Sequence, residues 1–151
     1  MSTTERIAIA CDHAGVAMKS ALRADLEAMG YDVLDLGTND ESSVDYPDRA
    51  EALAQAIERG DAARGVAICG TGIGMSMTAN RHSGVRAALC HDAFTAEMAR
   101  RHNDANVLCM GARVIGGGVA EQVAGVFLST SFEGGRHQRR VDLIEIERED
   151  S

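Results

Sequence analysis

Gly65-Val66-Ala67-Ile68-Cys69-Gly70-Thr71-Gly72-Ile73-Gly74 is the stretch that decides how the chain folds. Its first half is a short apolar run of the kind that forms a buried strand. Its second half has Gly70, Gly72 and Gly74 at alternate positions, and Met75-Ser76-Met77-Thr78-Ala79-Asn80 after it suits a helix. A strand that runs through glycines into a helix leaves bare backbone N–H groups at a helix amino end. Such a nest favours an anion, or an oxygen that becomes negative. Cys69 stands at its lip, so a thiolate formed there would meet the same donors. One segment thus offers both a base and an oxyanion site.

Working outward, apolar runs alternate with helical periods. Residues 6–11 form a first strand that ends in Asp12-His13-Ala14-Gly15. Met18, Leu22, Leu26 and Met29 then recur at helical spacing, with Lys19, Arg23, Asp25 and Glu27 on the opposite, solvated face and Gly30 as the cap. Residues 31–36 alternate as an edge strand does. A polar loop over 37–47 closes on Pro47, which suits the first turn of a helix running to about residue 59. Beyond the nest, 85–90 is a fourth strand, Asp92 caps a helix that ends near His102, and 107–111 is a fifth strand. Gly116-Gly117-Gly118 breaks the chain before a buried helix over 119–128. A glycine-containing loop follows, and charge and spacing favour a last helix over about 138–149, placed to pack on a partner.

This alternation predicts an α/β fold: a three-layer α/β/α sandwich around a five-stranded, mostly parallel, Rossmann-like sheet, as one domain over 1–151. Ligands of such sheets sit at the carboxyl ends of the strands. Asp12 and His13, Cys69 with the nest, His91 and Asp92, and Arg113 should converge there.

Composition narrows the function. Hydrophobic residues make up 45% and aromatics 3%, so the core is aliphatic. The net charge of −8 argues against nucleic-acid or anionic-membrane binding. No apolar run approaches the ~18–20 residues of a membrane span. The first residues lack the basic and apolar features of a secretory signal, which points to the cytoplasm. Cys11, Cys69, Cys90 and Cys109 form no Cys-x-x-Cys pair and have no histidine at ligand spacing, so neither a disulfide framework nor a zinc site is expected. Any one of them reads as a small buried apolar residue, and only Cys69 precedes a nest.

The nest itself lacks the Gly-Lys-Ser/Thr of a Walker loop, and it differs in spacing and position from a dinucleotide fingerprint. An acidic phosphoacceptor domain would want Asp where Cys69 stands. Glu133-Gly134-Gly135-Arg136-His137-Gln138-Arg139-Arg140 is the dense positive patch of an acidic chain. Arg136 and Arg140 share a helical face, which suits either a bidentate phosphate grip or a solvated basic helix start. His102 reads equally as a helix-end cation or as an acid/base, and His13 as a turn histidine beside Asp12. His82, His91 and His137 read as structural histidines, and Met75 and Met77 as packing.

Six motifs in order carry a family resemblance: Cys11-Asp12-His13-Ala14-Gly15, Asp45-Tyr46-Pro47, Cys69 to Gly74, Arg101-His102-Asn103-Asp104-Ala105-Asn106, Gly111-Ala112-Arg113-Val114 and Glu133 to His137. Together they resemble the type B ribose-5-phosphate isomerases, of the wider family that includes the galactose-6-phosphate isomerase subunits. The resemblance implies an aldose–ketose isomerase, without metal or cofactor, working through a cis-enediolate. It implies Cys69 as the base between C2 and C1, and His102 as the ring-opening acid/base with Thr71 assisting. One branch of the family uses a glutamate just after the nest; Gly74-Met75-Ser76 has none, which places this chain in the cysteine branch. Asp12 would hold a sugar hydroxyl. His13, Arg113, Arg136 and Arg140 match phosphate-binding positions. Asn103 and the amides of Gly70, Gly72, Ile73 and Gly74 match the groups facing the enediolate. Family members are homodimers or tetramers with sites at the dimer interface, so His102, Asn103 and Arg113 would reach a partner's Cys69. The roles of Tyr46 and His137 stay open. So do other substrates (erythrulose 4-phosphate, allose 6-phosphate, galactose 6-phosphate) and a non-catalytic phosphosugar sensor.

Overall fold

The computed structural model describes residues 4–145. Strands β1 (Arg6–Cys11), β2 (Asp32–Asp35), β3 (Arg64–Cys69), β4 (Ala87–Leu89) and β5 (Val107–Gly111) form one sheet in the order β2-β1-β3-β5-β4. Every pairing is parallel. Helices α1 (Val16–Ala28), α2 (Tyr46–Glu58), α3 (Ile73–Ala79), α4 (Ala93–Arg101) and α5 (Gly117–Ser129) make the connections, and α6 (Arg136–Ile144) follows.

The two faces of the sheet are built differently. Ile7, Ile9, Val66, Ile68, Leu108 and Met110 pack against Leu22 and Leu26 of α1, Ala96 of α4 and Phe127 of α5. The residues between them are small. Ala8, Ala10 and Ala67, with Cys69 and Cys109, face Ala50, Leu53 and Ala54 of α2 and Met75 of α3. So α1, α4 and α5 cover one face, and α2 and α3 the other. Sheet growth reverses between β1 and β3, which opens a crevice at their carboxyl ends.

Sequence and structure differ at three places. The fourth strand is shorter than 85–90: just ahead of it Arg86 N donates to the Asn106 side chain at 2.8 Å, and Asn80 covers the outer edge of its first residue, accepting from Ala87 N at 2.7 Å and donating to Ala87 O at 2.9 Å. The last helix begins at Arg136, after a turn through Gly134 and Gly135 at φ 67° and 56°; the expected stretch past residue 145 lies outside the described residues. Lys19, expected on the solvated face of α1, is buried. Its ammonium donates to both oxygens of Asp35 and to Asn39 Oδ1, each at 2.7 Å, which uses all three of its protons. This cluster ties the loop after β2 to α1. Among the described residues no helix is long and apolar enough to cross a membrane.

Candidate active site

At the carboxyl end of β3 the chain turns through Gly72 at φ 80° into α3. A side chain there would clash, since a Cβ would lie 2.6 Å from Leu89 Cδ1 and 2.9 Å from the Met110 carbonyl carbon. The turn brings the Gly72 N–H to Cys69 Sγ at 3.1 Å. Thr71, exposed at the rim, accepts from Ile73 N at 3.3 Å. The aromatic ring of Tyr46 packs on Gly74, where a Cβ would come within 2.4 Å of it. The open side of the nest is thereby walled by a ring that sequence reading left unassigned; the Asp45-Tyr46-Pro47 motif was its only signal.

The end of β5 leans on the same loop. Ala112 N donates to Cys69 O at 2.9 Å and Arg113 N to Gly70 O at 3.0 Å. The Arg113 guanidinium lies against Gly70, with Nη1 3.4 Å from where a Cβ would be, so Arg113, expected to reach a partner's Cys69, sits at the nest of its own chain. His91 accepts from Gly111 N at 2.9 Å and so braces that strand end, while Asp92 caps α4 by accepting from Thr95 N at 2.7 Å. On the other side, Asp12 donates its N–H to Ile68 O and accepts from Ala14 N at 3.0 Å. His13 Nδ1 accepts from Val44 N at 3.2 Å, so its partner is the loop after β2 rather than Asp12. Val44 fixes the tautomer and leaves Nε2 to carry the proton of the neutral ring.

Asp12, His13, Cys69, Gly70, Thr71, Gly72, Ile73, Gly74 and Arg113 therefore share the carboxyl edge of the sheet. Burial keeps the other three thiols protonated at neutral pH: it pushes Cys11 up to about 11 and also raises Cys90 and Cys109.

The remaining sequence candidates lie elsewhere. Helix α4 runs back down the sheet, so His102 and Asn103 sit just before β5 begins at Val107, whereas Cys69 pairs with Gly111 at its end. The length of β5, about 13 Å, separates the two groups. Arg136 and Arg140 belong with the lower group, because the loop ahead of α6 is fastened to the end of α4: Glu133 N donates to Arg101 O at 3.1 Å, and Arg100 Nε donates to Thr130 O. Among the described residues neither Arg136 nor Arg140 makes an ion pair. One copy of the chain does not bring His102, Asn103, Arg136 and Arg140 to its own Cys69.

That lower group has its own order. The His102 and His137 rings stack, with centroids 4.2 Å apart and planes 12° from parallel. Glu133 lies beside both, its oxygens 3.8 Å from His102 Nε2 and 3.4 Å from His137 Nε2. These three residues are the one group of potential metal ligands among the described residues. Stacking sets the two nitrogen lone pairs side by side rather than on one point, and Arg101 already holds Glu133 at 2.7 Å. The arrangement does not fit a cation as it stands. His137, read from sequence as a structural histidine, is the floor on which His102 rests. The Glu133/His137 spacing of four was visible in the sequence; the fold-back onto His102 was not.

Comparison with known proteins follows the same outline. Residues 7–144 match the profile of the Ribose/Galactose Isomerase family. A putative sugar phosphate isomerase of Bacillus subtilis is 46% identical over 140 residues, covering 92% of this chain and 94% of the relative. Ribose-5-phosphate isomerase B of Escherichia coli is 41% identical over 140 residues, covering 93% and 94%. Among solved structures, a ribose 5-phosphate isomerase of Thermotoga maritima superposes with a TM-score of 0.92 at 46% identity, covering 95% of this chain and 99% of that one.

Proposed function

The chain belongs to the ribose/galactose isomerase family, and we propose that it interconverts ribose 5-phosphate and ribulose 5-phosphate through a cis-enediolate, without a metal. Cys69 is the base. It removes the C2 proton of the open-chain aldose and returns it to C1, while a proton moves from O2 to O1. The amides of the nest face the oxygens that become negative, where removing one such donor typically costs on the order of 10²–10³ in rate. Asp12 holds a sugar hydroxyl. His102, assisted by Thr71, opens the furanose ring. His13, Arg113, Arg136 and Arg140 grip the phosphate, whose binding energy orients the reacting end. The observation that carries this reading is the Gly72 N–H directed at Cys69 Sγ at 3.1 Å, on a loop with no other acid or base within it.

The site is completed by a second copy. His102, Asn103, Arg136 and Arg140 lie a strand's length from Cys69 in one chain, so a partner presents its lower edge to this carboxyl edge. Exposed apolar residues support such a contact. Ile73 and Met77 stand one turn apart on α3, with Leu89 and Val114 at neighbouring strand ends. The protein acts as a homodimer, or as a pair of dimers. It works in the cytoplasm, consistent with four cysteines that are all buried and unpaired.

The family's name spans more than one sugar, which favours a test by substrate panel. Four-, five- and six-carbon aldose and ketose phosphates should be assayed for interconversion and for solvent-deuterium incorporation. Turnover should be highest with the five-carbon pair. A higher kcat/KM for a four- or six-carbon sugar would reassign the substrate, and binding without deuterium incorporation would make the protein a sensor.

A further inference from the structure

Glu133 stands where a purely solvated residue has no reason to be held. Two consecutive glycines with positive φ, Gly134 and Gly135, turn the chain sharply after it. Its backbone N–H is tied to Arg101 O at 3.1 Å, and its carboxylate accepts from Arg101 Nε and Nη2 at 2.8 and 2.7 Å. The guanidinium is held in turn by Glu97 at 3.0 Å. Thus clamped, the carboxylate faces the edges of both stacked imidazoles. His137 Nε2 is buried and has no hydrogen-bond partner, so the nearby Glu133 charge is its sole compensation among the described residues.

The two rings are not equivalent. Burial, with the positive charges of His102, Arg136 and Arg140, pushes the His137 imidazole down and outweighs Glu133. His102 is more than a third exposed and opens to solvent. His102 is thus the ring of the pair that a sugar can reach. We propose that Glu133 is a positioning residue for ring opening: it fixes His102 on the His137 floor and supports the imidazolium that donates to the sugar ring oxygen. In that step the C1–O4 bond breaks and its electron pair goes to O4, which takes the proton from His102. O1–H loses its proton to water, C1 becomes the aldehyde carbon, and solvent reprotonates His102. Enolisation at Cys69 does not use Glu133.

This rests on the isomerase reading above, and its test separates the two. Ribulose 5-phosphate has its O5 phosphorylated and forms no furanose, so deuterium exchange at its C1 needs enolisation but no ring opening. Glu133→Gln should lower kcat for ribose 5-phosphate by roughly 10–100-fold, within the range of lost acid–base assistance. KM and the C1 exchange rate from ribulose 5-phosphate should stay within about 2-fold of wild type, and Glu133→Asp should recover part of the lost kcat. An equal loss in both reactions, or no loss in either, would overturn the assignment. Absence of C1 exchange in the wild-type protein would overturn the isomerase reading, and this inference with it.

Discussion

At the residue scale the proposed chemistry turns on a single sulfur. Cys69 is 5% exposed and packs on the small-residue face of the sheet, and its Sγ also accepts from the Gly72 N–H. Cys69→Ala should cut kcat by about 10³-fold or more while phosphosugar still binds, because the residues proposed to grip phosphate are others. Steady-state kinetics with an equilibrium binding assay measure both; near-normal turnover would remove the thiol from the chemistry. Cys69 and the three glycines were legible in sequence because strand, nest and helix occupy contiguous residues. Lys19 was not: periodicity assigned it to water, and only contacts with Asp35 and Asn39, 16 and 20 residues on, bury it. Its triple satisfaction makes the burial tolerable, since an unpaired ammonium in that place would be strongly destabilising.

At the element scale the alternation of strand and helix was readable because each face of the sheet demands its own apolar set. The large residues of one face of β1 and the alanines of the other follow directly from its sequence. What escaped were features fixed by side chains reaching across elements. Asn106 takes the Arg86 N–H just ahead of β4, and the fold-back of Glu133 sets where α6 starts. His82 is a third case. It sits between Glu51 and Glu58 of α2, pinning the turn after α3 to that helix. Burial lowers its basicity, but the hydrogen bonds to Glu51 and Glu58 win and raise its pKa above the ordinary 6.5. A raised folded value means the pin contributes fully below that ordinary value and is lost as pH rises through the raised one. Both glutamates are more than a third exposed, so screening limits the contribution to about 1 kcal/mol. Urea unfolding should therefore show wild type more stable than His82→Ala at about pH 6, with the gap narrowing by about pH 9. A gap that is constant or widens over that range would contradict this role.

At the scale of the whole molecule, the residues proposed for the chemistry lie at opposite ends of one chain's sheet. The carboxyl edge carries Cys69, the nest and Arg113; the amino edge carries His102, Asn103, Arg136 and Arg140. Sequence reading gathered the first set from the rule for parallel sheets. Residue type and spacing raised His102, Arg136 and Arg140 of the second set only as one of two readings, and family resemblance tied them to the site, since nothing local reveals that α4 carries His102 away from Cys69. The separation becomes functional if two copies meet edge to edge, giving two identical composite sites as closed symmetry requires. The most direct measurement mixes two inactive variants, Cys69→Ala and His102→Ala, unfolded and refolded together at equal concentration. Each mixed dimer would own one site with both groups intact, so isomerase activity should return to about a quarter of wild type under random pairing. A mixture as inactive as its parents would contradict the composite site.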